Sequence, residues 1–154
     1  MIRHPVIFSA MLRCKLLRPE AKAPTTAHPG EDLGYDLYAA ETVVFPARGH
    51  AVVPTGIAIE LTGSDGSPMG ALVRDRSSMA SRRIITTAGV IDAGYRGEVR
   101  IVMENLGDSE QTIHAGDKIA NLLPYPVHTT EVEVVQELAD SKRGAGGFGS
   151  SGKR

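Results

Sequence analysis

The chain's 154 residues, 42% hydrophobic and 23% charged, suffice for one domain with a substantial core and exclude a disordered or fibrous chain. A formal net charge of −1 gives no electrostatic reason for nucleic acid or a membrane surface as partner, so an anionic ligand must be held by a local cluster of cations. The single cysteine, Cys14, has no internal disulfide partner and the five histidines lack metal-ligand spacing, which fits a reducing compartment: the expected location is cytoplasmic, with a nuclear or virus-encoded protein left open.

Residues 5–12 form an apolar run broken by Ser9, too short for a bilayer, which needs about 20 apolar residues. Arg13 and Lys15 follow without a small-residue cleavage site, so residues 1–11 are expected to be an added strand or an N-terminal extension, with Met1 and Met11 both open as the start. A strand is expected at 12–17, then an irregular connection over 18–29 with three prolines. G-Y-D-L-Y-A-A, at 34–40, suggests a strand bending near Asp36. Short β-branched runs at 42–45, 51–53 and 56–61 follow, separated by Pro46, Gly49 and Pro54, a cadence typical of all-β domains. Residues 62–70 suggest a turn-rich loop before a strand at 71–74.

The one convincing helical start is R-S-S-M-A-S-R-R at 76–83, about two turns long, with Asp75, Ser77 or Ser78 as candidate caps. A tight hairpin is expected at 88–98, A-G-V-I-D-A-G-Y-R-G-E, punctuated by Gly89, Gly94 and Gly97. Further strands are expected at 99–103, 111–113, 118–124 and 131–135, the last an edge strand because acid and valine alternate. The predicted fold is all-β: a jelly-roll-like barrel or sandwich over residues 1–140, with one short helix, followed by a flexible glycine-rich tail at 141–154.

Five places carry candidate chemistry, each with a plain structural alternative. In the 88–98 stretch, glycines allow a ligand to approach the main chain, Asp92 can act as a base and Tyr95 as a platform; alternatively the glycines serve only turn geometry. Arg76, Ser77 and Ser78 combine a guanidinium, hydroxyls and a helix start, suited to an anion or to ordinary capping. The tail can order over phosphates, with Arg143 forking onto oxygens and Phe148 stacking on a base, or stay a disordered terminus. G-D-K-I-A-N-L, at 116–122, is a turn feeding a buried strand, and Asp36 is most simply a solvated strand-end carboxylate.

Together and in order, G-Y-D-L-Y-A-A, R-S-S-M-A, A-G-V-I-D-A-G-Y-R-G-E, G-D-K-I-A-N-L and R-G-A-G-G-F-G-S-S-G resemble the five motifs of the trimeric dUTPase family, spanning about residues 12–152. The resemblance implies a jelly-roll homotrimer with shared active sites. It implies hydrolysis of dUTP to dUMP and pyrophosphate, with Mg²⁺ carried mainly on the substrate's phosphates. By the same resemblance Asp92 is the general base for the attacking water, and Tyr95 packs against deoxyribose and leaves no room for a 2′-hydroxyl. The main chain of Gly89, Val90 and Ile91 reads uracil, where a mismatched donor and acceptor pattern is costly. Arg76, Ser77, Ser78 and Asn121 face the phosphates, Arg143 holds the terminal one, and Gly147 and Phe148 belong to a lid over uracil. Asp36 helps to organise the magnesium–triphosphate through water, as suits a cation that keeps its waters.

Two positions depart from the family pattern. Asn121 stands where Gln is usual, one methylene short, and Gly94 stands where an acid often precedes the tyrosine, which predicts a looser hairpin. The nearest alternative, dCTP deaminase or its bifunctional relative, shares the fold and an R-S-S-x-A motif. It would need a catalytic Glu where this chain has Val102, usually has Arg where Ser81 stands, and lacks the glycine-rich tail. A catalytically weak nucleotide-binding regulator on the same fold is the other alternative.

Overall fold

Short runs of alternating side chains, cut by prolines and turns, give an almost helix-free fold in the computed structural model, which describes residues 10–145. In chain order the strands are β1 (Ala10–Leu16), β2 (Tyr35–Tyr38), β3 (Val43–Phe45), β4 (His50–Pro54), β5 (Ile57–Gly63) and β6 (Pro68–Asp75). After α1 (Ser77–Ser81) come β7 (Ile84–Thr87), β8 (Val90–Ile91), β9 (Arg100–Asn105), β10 (Gln111–Ile113) and β11 (Lys118–Pro126). Every ladder is antiparallel. The largest sheet runs β1-β5-β6-β11-β2, with β8 added alongside β6; β4-β9-β7 and β10-β3 form two smaller sheets. This is the mostly-β, jelly-roll-like architecture that the strand cadence predicts.

The period of two is written in the burial of each strand. In β6, Met69, Ala71 and Val73 turn inward while their neighbours face outward, and in β9 Ile101, Met103 and Asn105 do the same. The inward faces meet in one core around Phe45, Ile84, Met103, Ile113, Ile119 and Leu122. A β-bulge between Lys118 and Ala120 lets Ile119 and Ala120 both be buried and brings Asn121 opposite Asp36.

Asn105 is the instructive polar member of this core, at 1% exposure. Its amide nitrogen donates to the carbonyls of Pro46 (2.9 Å) and Ser109 (2.8 Å), and its side-chain oxygen accepts from the Gly107 N–H (2.9 Å). Three groups in two turns depend on it. Asn105→Ala is expected to lower the unfolding free energy by about 2–3 kcal/mol, because those groups stay buried without partners; a denaturant titration shifted by less than a third of that would contradict this role.

Several expectations are corrected. The loop foreseen at 62–70 is mostly strand, since Leu61 and Thr62 pair with Met69 and Pro68 across a turn closed by Gly66 N–H to the Gly63 carbonyl (2.9 Å). The helix is five residues, little over one turn, and its N-cap is Arg76 with no side-chain cap. Asp75 instead accepts from the N–H and hydroxyl of Thr86 (2.5 and 2.7 Å) and so ties β6 to β7. Residues 131–135 form no strand: Val132 and Val134 are 89% and 94% exposed, with no neighbouring strand among the described residues to pair them. Residues 1–9 of the expected extension and Gly147 and Phe148 of the tail lie outside the described residues. Among the described residues no helix is long and apolar enough to cross a membrane.

Candidate functional site

The outer ends of β2, β11 and β6 build a cationic cleft of about 560 Å³ whose lining includes Asp36, Arg74, Arg76, Ser77, Lys118 and Asn121. Strand register explains the grouping. Asn121 lies opposite Asp36 on one side and opposite Arg74 on the other, so three residues from distant parts of the chain form one rung across the sheet. Two residues after Arg74 the chain leaves β6, and the extended backbone of Arg76 returns its side chain to the same cleft while its carbonyl starts the helical turn, accepting from Met79 and Ala80 N–H (3.0 and 2.9 Å). Met79, buried, anchors that turn in the core.

Asp36 is not the solvated strand-end carboxylate of the simplest expectation; it is 8% exposed. One carboxylate oxygen accepts from Arg76 Nη1 and the other from Lys118 Nζ, the latter at 2.7 Å. Arg76 is thereby clamped, with a buried Nε that has no hydrogen-bond partner among the described residues. Two carboxylates, Asp36 and Asp32, stand against three cations, Arg74, Arg76 and Lys118, which leaves an excess of one positive charge facing the cleft. These side-chain charges, rather than the dipole of a five-residue helix, are what suit the cleft to an anion.

The same pairing bears on magnesium. Both Asp36 oxygens are engaged by cations, which does not fit a direct metal ligand. Among the described residues no three His, Cys, Asp or Glu side chains gather as a metal-binding set either. The donor set suits an anion, and any divalent cation here would have to be held chiefly by that anion.

A second cleft, about 430 Å³, is lined by Val90, Ile91, Asp92, Tyr95, Glu98 and Arg100. The 88–98 stretch is not a hairpin closed on itself. Val90 and Ile91 pair with Leu72 and Ala71, and the Val73 N–H donates to the Gly89 carbonyl (2.7 Å), so the stretch is laid along β6. The positive φ of its entry turn falls at Ala88 (52°), not at a glycine. Gly89 serves close approach instead: a Cβ there would stand 2.5 Å from the Val73 carbonyl oxygen, and one at Gly70 would stand 2.6 Å from that of Ile91. Because successive strand residues turn their main-chain groups to opposite sides, Val90 directs its N–H and C=O away from β6.

Beyond β8 the chain turns, with the Tyr95 N–H donating to the Asp92 carbonyl (3.0 Å). Asp92 is exposed at this turn. Arg96 steadies it, donating to the Ala93 and Tyr95 carbonyls (2.7 and 2.9 Å) and to Glu60 (3.2 Å). Gly94 has open space where its Cβ would be, and the turn predicted to be loose there is held by these bonds.

Of the residues singled out from sequence, Asp36, Arg76, Ser77 and Asn121 thus meet in one cleft, and Val90, Ile91, Asp92 and Tyr95 in the other. Ser78 lies exposed on α1, its carbonyl accepting from the Ser81 hydroxyl. Arg143 lies on an exposed turn where the Gly144 N–H bonds to Ser141. The two clefts share no lining residue. Sequence reasoning passed over Arg74, Lys118 and Glu98. Lys118 stood within the G-D-K-I-A-N-L motif, and only strand register could link it and Arg74 to Asp36.

Comparison with known proteins identifies the family and the fold. The dUTPase family model matches residues 20–152. Deoxyuridine 5′-triphosphate nucleotidohydrolase from Solibacter usitatus (strain Ellin6076) is 44% identical, over 96% of this chain and 100% of its own length. Among solved structures, a variant of the Staphylococcus bacteriophage 80alpha dUTPase with dUpNHpp superposes with a TM-score of 0.84 at 30% identity, covering 93% of this chain and 99% of the phage chain. A variant dUTPase from phage phi11 of S. aureus, described with a structural Mg(II) ion, superposes with a TM-score of 0.74 at 27% identity, covering 84% of this chain and 99% of its own.

Proposed function

The chain belongs to the dUTPase family and hydrolyses dUTP to dUMP and pyrophosphate, and on that premise we propose how its own residues divide the work. Asp92 takes a proton from water; the water oxygen bonds to phosphorus as the bridging P–O bond breaks and pyrophosphate leaves. Arg76, with Ser77 and Ser78 beside it, receives the phosphates in the cationic cleft, and Asn121 reaches them through water because it is one methylene shorter than the family's Gln. Asp36, its own charge balanced by Arg76 and Lys118, would act only through water on magnesium carried by the substrate's phosphates, which would supply charge neutralisation there.

Uracil is read along the main chain of Gly89, Val90 and Ile91, of which the Gly89 carbonyl is already engaged by the Val73 N–H. Val90 is best placed, since its N–H and C=O turn away from β6 and no side chain need intervene. Tyr95 meets the deoxyribose face and refuses a 2′-hydroxyl. Residues 141–154 act as a lid on the 1–140 domain, with Arg143 on the terminal phosphate and Gly147 and Phe148 over the base. The setting is cytoplasmic, and the partners are dUTP and further copies of the chain, not nucleic acid or membrane. A deaminase would need an acid where Val102 stands.

The observation that carries this assignment is the separation of the clefts: phosphate cations and general base line different hollows of one chain. A homotrimer in which one subunit's cationic cleft faces another's Asp92 hollow unites them. Val132 and Val134, which stand exposed with no cover among the described residues, support such an assembly. Mixing tests it. Asp92→Asn and Arg76→Ala proteins should each release almost no pyrophosphate from dUTP. Unfolded together and refolded as mixed trimers, they should recover about a quarter of wild-type activity, since one site in four pairs an intact Asp92 with an intact Arg76. Mixed trimers as inactive as their parents would mean that each subunit builds its own site.

A further inference from the structure

Glu98 joins two parts of the molecule that the proposed chemistry leaves unconnected. Its side chain is only 12% exposed, and its carboxylate accepts from the Gly56 N–H (2.9 Å), Arg18 Nη2 (2.9 Å) and Arg100 Nε (3.2 Å). Its main-chain carbonyl accepts from the Tyr95 hydroxyl (2.9 Å). The next residue, Val99, is fully buried, donates to the Ile57 carbonyl (2.8 Å) and accepts from the Thr55 hydroxyl (2.5 Å). The Glu98 carbonyl is therefore fixed from both sides, by its own carboxylate and by the strand that begins beyond it.

Tyr95 rests on this support. A Cβ at Gly97 would lie 2.5 Å from the tyrosine Oη and 2.6 Å from Cζ, so the ring folds back across the bare glycine until its hydroxyl reaches Glu98. This seat helps to set the height and tilt of the ring in the Asp92 cleft.

We propose that Glu98 is a positioning residue for sugar discrimination: by anchoring its carbonyl to the Gly56, Arg18 and Arg100 donors, it holds the Tyr95 ring where a ribose 2′-hydroxyl has no room. It rests on Tyr95 meeting the sugar. Discrimination of this kind is a difference between two transition-state affinities, and a ring displaced by a fraction of its thickness admits the extra oxygen while still packing against deoxyribose. Loss of the seat therefore alters the ratio of kcat/KM for dUTP over UTP more than it alters kcat for dUTP.

The experiment compares that ratio in trimers of wild type, Glu98→Ala, Glu98→Gln, Tyr95→Phe and the Glu98→Ala/Tyr95→Phe double variant. Glu98→Ala and Tyr95→Phe should each lower the ratio about tenfold, and the double variant should fall no further than either alone, because both remove one interaction. Glu98→Gln, which keeps an acceptor for the Gly56 N–H, should recover a large part of the ratio. If Glu98→Ala does not fold, Gly97→Ala displaces the ring directly with the carboxylate's bonds intact and should lower the ratio at least as much. Equal losses with dUTP and UTP, or losses that multiply in the double variant, would overturn the proposal and leave Glu98 a stability residue. Tyr95→Ala separates the two levels: an unchanged ratio there overturns both the sugar platform and the seat. A collapsed ratio there, beside an unaffected Glu98→Ala and Gly97→Ala, overturns the seat alone.

Discussion

Asp92→Asn is expected to lower kcat for dUTP about a thousandfold while changing KM little. The substitution keeps size and hydrogen bonding but removes the only property the proposed step requires, an oxygen able to accept the water's proton. Nothing else lining that cleft can replace it: Tyr95 has its hydroxyl on the Glu98 carbonyl, Glu98 is held by three donors, and Arg100 is one of those donors. In the proposed division of labour Asp92 meets the water rather than the groups that bind base, sugar and phosphates, so KM should remain. Pyrophosphate release under saturating dUTP measures the effect, and a variant retaining more than a tenth of wild-type kcat would remove Asp92 from the chemistry.

Truncation before Arg143 should also nearly abolish turnover, with losses on the order of a hundredfold to ten-thousandfold in kcat/KM from a charge-assisted phosphate contact and an aromatic stack removed together. The proposed trimer should survive it, because the core ends with β11 at Pro126 and, among the described residues, those beyond contribute nothing to its buried face. Light scattering on the truncated protein reads the assembly and a dUTP assay reads the activity. A fully active trimer would dismiss the lid; a dissociated one would make the segment part of the interface.

Much of the fold was legible because its signals are local. Pro46, Pro54 and the turn glycines mark the strand breaks, and alternation within 68–75 and 100–105 announces inward and outward faces. Where sequence misled, the missing information was a partner. Glu131 to Val135 has the alternation of an edge strand, but among the described residues no strand lies beside it. Asp36 resembled a solvated carboxylate because Arg76 and Lys118 are 40 and 82 residues away in sequence, and only the pairing of β2, β11 and β6 unites them. The Asp92 stretch suggested a self-closed hairpin because its glycines resemble turn residues. What Gly89 provides is clearance for the Val73 carbonyl, and that becomes visible only once β6 is its neighbour.

Strand β6 gives its Val73 N–H to the Gly89 carbonyl, and the very next residue, Arg74, sits on the rung with Asn121 and Asp36. The edge proposed to read the base and a cation proposed to face the phosphates therefore hang from consecutive links of one strand. A slip of β6 by a single residue would exchange inside for outside along its whole length, turning Val73 toward solvent and carrying Arg74 into the core. Base recognition and phosphate recognition would be lost in the same step. Point substitutions can tune either function alone, but an insertion or deletion anywhere from Pro68 to Asp75 strikes both. Changes in chain length should thus be excluded from this strand and confined to the connections at its two ends.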